Sequence, residues 1–115
     1  MKTTIRGKQA ETAVAERLAR DGYDILTQNW KTKVCEIDVI AKRQNVVYFV
    51  EVKYRGRPGQ GDGLAYITPN KLHKLHFAAN IWCQFNNWDG DYRLLAASVT
   101  TDGLDYIIEE IIELE

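Results

Sequence analysis

Val46-Val47-Tyr48-Phe49-Val50-Glu51-Val52-Lys53-Tyr54-Arg55 is the stretch on which the fold turns. Its first five residues are apolar, mostly β-branched or aromatic, and read as a strand buried on both faces. Two charges, Glu51 and Lys53, then arrive before the strand has finished. Alternation places Val47, Phe49, Glu51, Lys53 and Arg55 on one face. An acid and an amine at the end of a buried strand cost desolvation energy unless a metal ion or partner charges compensate them.

The preceding stretch, Val34-Cys35-Glu36-Ile37-Asp38-Val39-Ile40-Ala41, also alternates, with Glu36 and Asp38 sharing a face with Val34 and Ile40. Lys42-Arg43-Gln44-Asn45 is a polar turn, so the two strands form a hairpin. A loop with an even number of residues sets Asp38 and Glu51 on the same face, whereas an odd loop separates them unless a bulge restores the parity. The expectation is a site holding Asp38, Glu51 and Lys53 together.

The 115 residues make one domain, 1–115, with room for a single core. No apolar run approaches the ~20 residues that span a bilayer, and no apolar stretch follows Met1–Arg6 as in a secretory leader. Cys35 and Cys83 lie far apart without paired spacing, which suits free thiols in a reducing cytoplasm. The net charge of −1 conceals an asymmetry. Residues 102–115 carry six acids and no base, so residues 1–101 carry +5. The acidic segment reads as the solvated face of a last strand, or as a tail turned from a polyanion or paired with a neighbouring subunit.

Gly7 to Arg20 reads as a helix closed by Asp21-Gly22. Val14, Ala15 and Leu18 follow Glu11 at three, four and seven residues, so Glu11 faces the core while Glu16 stays wet. At the first turn the helix dipole would favour that carboxylate; a charged site beneath the helix would explain it equally. Tyr23 to Trp30 is an edge strand. Arg55 to Gly63, with four glycines and one proline, is a surface loop leaving the charged end of the site strand, and lacks the Gly-Lys-Ser/Thr of a P-loop. Thr68 caps a helix over Pro69–Phe85, with Leu72, Leu75, Ala79 and Trp82 on one face. Tyr92–Thr100 is a further strand, and Asp105–Glu113 reads as a last strand or as a helix. Helix, three strands, helix and two strands make an α/β sandwich with helices packed on the sheet.

Asp38 and Glu51 suit a hard divalent cation, Mg²⁺ or Mn²⁺, completed by the Val52 carbonyl and a phosphate oxygen. Such an ion acidifies bound water and offsets charge on a phosphorus centre. Lys53 is placed to orient or help deprotonate that water, or to stabilise the transition state. Glu11 would serve as a base behind the ligands or as a ligand to a second ion. Arg55, Arg57, Lys71 and Lys74 would hold a polyanion, and Tyr66 would stack on a base.

Gly7-Lys8-Gln9-Ala10-Glu11, Gly22-Tyr23-Asp24-Ile25-Leu26, Gln28-Asn29-Trp30, Glu36-Ile37-Asp38-Val39-Ile40-Ala41 and Phe49-Val50-Glu51-Val52-Lys53-Tyr54-Arg55, with a weaker Thr68-Pro69-Asn70-Lys71, carry a family resemblance in order. The chain resembles the YraN-like bacterial proteins, a branch of the restriction-endonuclease-like nuclease superfamily that includes archaeal Holliday-junction resolvases. The resemblance implies that superfamily's three-layer sandwich with a mixed central sheet. It also implies a metal-dependent nuclease site at Asp38, Glu51 and Lys53, completed by Glu11, and branched DNA as substrate. Cys35 stands where the family usually has glycine, and Lys42 to Asn45 replace an acidic turn.

Two other readings compete. His73, His76 and Cys83 offer zinc-ligand spacing on the second helix, although two histidines on a half-exposed helix are commonplace. A non-catalytic module gripping DNA or a protein would keep the fold, with Glu51 and Lys53 as an internal ion pair. A two-fold dimer would suit paired cuts on two strands. The chain reads no bases: it has neither a recognition helix nor a zinc finger, so recognition of DNA would follow structure rather than sequence.

Overall fold

A computed structural model describes residues 5–56 and 67–115. The elements are α1 (Ile5–Arg20), β1 (Asp24–Lys31), β2 (Glu36–Arg43), β3 (Val46–Tyr54), α2 (Pro69–Phe85), β4 (Asp91–Thr101) and β5 (Tyr106–Leu114). The five strands form one sheet in the order β1-β2-β3-β4-β5. β3 and β4 run parallel, and every other neighbouring pair is antiparallel. The parallel pair requires a crossover, and α2 lies on it.

The buried hydrocarbon divides into two clusters, one on each face of the sheet. Ala10, Val14, Ala15 and Leu18 of α1 pack with Val39, Val50, Leu95, Ala97 and Val99. Leu75, Ala78, Ala79 and Trp82 of α2 pack with Ile40, Val47, Phe49 and Leu94. This is the expected three-layer α/β sandwich with a mixed sheet. Alanines let α1 approach closely, whereas α2 meets the sheet through aromatic edges, with the Phe49 and Trp82 rings 5.5 Å apart. Phe49 is fully buried, a burial that contributes about 2–3 kcal/mol.

β3 is central in the sheet and alternates regularly. Tyr48, Val50, Val52 and Tyr54 face the α1 cluster, and Val47 and Phe49 face the α2 cluster. The β2–β3 turn is only Gln44-Asn45, with φ of 50° and 64°. Two left-handed residues make the turn whose twist matches a hairpin. Thr68 caps α2, its hydroxyl accepting from Lys71 N at 3.2 Å. Just before β2, Cys35 N donates to Thr32 Oγ1 at 3.1 Å, so the cysteine is built into the turn from β1.

Candidate functional site: three carboxylates where β2 and β3 part

The paired residues of β2 and β3 run from Arg43↔Val46 to Val39↔Val50. One step further, the same register sets Asp38 across from Glu51. There the backbone ladder gives way to a side chain: Val52 N donates to Asp38 Oδ2 at 2.8 Å. An amide in a central strand must find an acceptor. Asp38 supplies it, which fixes that carboxylate at the point where the strands separate.

The alternation of β1 and β2 breaks at this level. Gln28 and Val39 are paired, as are Trp30 and Ile37. Gln28 accepts from Thr12 on α1, and Val39 lies in the α1 cluster. Trp30 and Ile37, two residues along their strands, pack in the α2 cluster instead. Between them stand Asn29, with φ of 54°, and Asp38. The two strands therefore turn over together. Asp38 and Glu51 approach at the parting of β2 and β3 rather than by lying on one regular face, as simple parity would have it.

Glu11 comes down from α1. It is 5% exposed, and its Oε1 is buried without a hydrogen-bond partner. It is the seventh residue of the described helix, and the first turn carries no acid, so the helix dipole does not account for its burial. Burial pushes the Glu11 carboxyl upward, while hydrogen bonds from Asp38 and Asn29 pull it down. Burial also pushes Asp38 up to about 7; the Val52 amide opposes the rise, and the charge of Glu11 adds to it. Glu51 is raised to about 7 by burial first, then by the charge of Asp38. Lys71 at the start of α2 counters this, its Nζ 3.8 Å from Glu51 Oε2, with Lys53 contributing less. Burial thus raises all three carboxyls, with the charge of Glu11 adding to the rise at Asp38 and that of Asp38 adding to the rise at Glu51.

Among the described residues, no three His, Cys, Asp or Glu side chains converge tightly enough to form a complete metal-binding group. Two protein carboxylates with backbone, water and phosphate oxygens suit Mg²⁺, which keeps several waters. Asp38 and Glu51 could supply the two carboxylates of such a site. Glu11 lies close enough to Asp38 to raise its carboxyl, and its own Oε1 is buried.

Lys53 is exposed at the mouth of the site, and Arg55 follows half-buried, its N donating to Val99 O at 2.7 Å. Lys71, expected to face phosphate, stands against Glu51 while remaining about half exposed. Lys74 is exposed one turn further along α2. Arg57 and Tyr66 lie outside the described residues, as does most of the glycine-rich loop. The zinc grouping does not assemble: His76 Nδ1 lies 3.0 Å from Tyr92 Oη and Nε2 lies 3.2 Å from Glu115 O. His73 is exposed.

Two participants escaped the sequence reading. Glu36 adds negative charge that raises Glu11, Asp38 and Glu51, and it lies 4.0 Å from Lys31. Its position two residues before Asp38 was a visible signal. Asn29 was visible only as part of the Gln28-Asn29-Trp30 motif.

The class defined by this fold and site is an α/β sandwich whose five-stranded mixed sheet gathers buried carboxylates at a break in its hairpin. Within that class the chain belongs to the uncharacterised protein family UPF0102, whose model matches residues 10–107. A UPF0102 protein of Vibrio campbellii is 36% identical over 102 residues, covering 86% of this chain and 84% of its own. One from Flavobacterium johnsoniae is 29% identical over 109 residues, covering 91% and 89%. One from Alkalilimnicola ehrlichii is 41% identical over 78 residues, covering 68% and 62%. Among the described residues no helix is long and apolar enough to cross a membrane.

Proposed function

We propose that this chain is a Mg²⁺- or Mn²⁺-dependent DNA endonuclease that hydrolyses phosphodiester bonds in branched or repair-intermediate DNA. One observation carries the reading: Asp38 on β2 interacts with Glu11 of α1 and with Glu51 of β3, three acids raised by burial, with Lys71 and Lys53 beside Glu51. A fold gains no stability from gathering like charges away from water. The resemblance to restriction-endonuclease-like nucleases supports the same assignment.

Asp38 and Glu51 would hold the cation, which when bound supplies an acidified water and charge stabilisation at phosphorus. Asp38 is fixed for this by the Val52 amide. Glu11 holds Asp38 from behind and can share its proton. Lys53, two residues beyond Glu51 on the same strand, is placed to orient the attacking water and to offset charge on the phosphate oxygens. Lys71 balances Glu51 and, being half exposed, can pass to a substrate phosphate once a cation takes over that charge. Lys74 and Arg55 extend the basic rim, and their contribution to binding weakens with salt. A two-fold dimer in the cytoplasm would suit paired cuts on two strands.

The test is a panel of duplex, flap, single-stranded and four-way-junction DNA incubated with Mn²⁺. Cleavage of at least one substrate is expected, lost in Glu51→Gln and Lys53→Ala proteins that remain folded. A panel left intact by the wild-type protein would refute the enzymatic reading and favour a binding module on the same fold.

A further inference from the structure

The break in alternation centres on a residue that the nuclease reading leaves without a role. Asn29 lies inside β1, yet its backbone is left-handed, with φ of 54°. Side chains other than glycine rarely adopt that conformation, and Asn is among the few that tolerate it. The register places Asn29 opposite Asp38. On either side of this step the paired residues change face together, from Gln28 and Val39 toward α1 to Trp30 and Ile37 toward α2. The Asn29 side-chain amide also acts on Glu11, lowering its carboxyl as a hydrogen-bond donor would, and Glu11 is nearly fully buried and carries the orphaned Oε1. One residue thus stands across from one of the three acids and acts electrostatically on a second.

We propose that Asn29 is a positioning residue for the cation site. Its left-handed backbone turns β1 and β2 over so that Asp38 faces the parting of β2 and β3, and its amide NH₂ donates to Glu11 and sets that carboxylate behind Asp38. The inference rests on the reading of the cluster as a metal site. Groups that orient metal ligands typically change affinity by about 10–100-fold when removed.

The experiment is calorimetric titration of Mn²⁺ into the full chain at pH 7.5, with melting temperature measured beside it. Asn29→Gly keeps the backbone conformation accessible and removes the amide. It is expected to melt close to wild type and to bind Mn²⁺ about tenfold more weakly. Asn29→Asp keeps the tolerance for a left-handed backbone and sets a like charge against Glu11. It is expected to bind at least as weakly, and it carries the test should Asn29→Gly fail to fold. A purely structural role would not predict the third result: in a Glu11→Gln background, Asn29→Gly should weaken binding no further, because the amide acts through Glu11. Mn²⁺ affinity unchanged in Asn29→Gly, or lowered equally in both backgrounds, would overturn the inference and leave the metal site standing. A wild-type chain that binds no Mn²⁺ would remove the metal reading and this inference together.

Discussion

At its closed end the β2–β3 hairpin turns through Gln44 and Asn45, both left-handed and exposed. The paired backbones there satisfy each other, and the flanking Val47 and Phe49 sit in hydrocarbon. At its open end, some five residues along β3, the ladder stops at Val39↔Val50 and a carboxylate takes the Val52 amide. There too an asparagine is left-handed, but Asn29 is half-buried and meets acids rather than water. The same backbone conformation serves a turn at one end and a charged recess at the other. The difference lies in what the polar groups do for stability. At the closed end they hold the fold together, whereas at the open end the folded chain bears the cost of crowding three acids.

The contrast is sharpest between neighbours on β3. Glu51→Gln should lower cleavage by about a thousandfold or more while leaving the urea unfolding midpoint at or above wild type at pH 8, since it removes a buried, repelled charge. Phe49→Ala, two residues earlier on the same face, should cost about 3–5 kcal/mol of stability, read from urea unfolding, because it opens a cavity against Trp82 and Tyr92. Equal loss of stability in the two variants would erase the distinction between the ends.

The pH dependence of stability sharpens it further. Asp38 and Glu51 ordinarily titrate at 3.8 and 4.5, and both are raised to about 7 in the folded chain. Between about pH 4 and pH 7 the folded state therefore holds more protons than the unfolded state. Their contribution is greatest below pH 4 and is lost as pH rises through 7. Urea midpoints of metal-free protein should fall from pH 5 to pH 8, and the fall should be smaller in Asp38→Asn. A wild-type profile identical to that of Asp38→Asn would show that these acids titrate normally. The smallest effect belongs to the closed end: Asn45→Ala should cost about 1 kcal/mol through its left-handed backbone, with Asn45→Gly nearly neutral.

Much of this was legible in the sequence. The apolar run of β3, the Thr68-Pro69 start of α2 and the Asp21-Gly22 stop of α1 each carry their own chemistry, and the elements fall where those signals put them. Glu11 was legible because helical spacing aims it at the core. The expected four-residue turn narrows to two, since Lys42 and Arg43 continue the strand; the pairing shifts by two residues, and because both lengths are even the face parity is kept. The turnover at Asn29 and Asp38 was hidden. Strand periodicity assumes extended residues throughout, and a single left-handed residue resets the parity of everything beyond it. Helical spacing alone turns Lys71 outward, because it says which face a residue occupies, whereas a long side chain at a helix start can reach back over the strand beneath.

The most direct measurement is the melting temperature of the wild-type chain and of Asp38→Asn at pH 7.5 as Mn²⁺ is raised. Binding to the folded state alone stabilises by RT ln(1 + c/Kd), with c the free Mn²⁺ concentration, about 2.7 kcal/mol at a hundred times the dissociation constant. The wild-type chain should melt several degrees higher with Mn²⁺, and Asp38→Asn should not respond. A wild-type melting temperature indifferent to Mn²⁺, or an equal rise in Asp38→Asn, would contradict a cation site between β2 and β3.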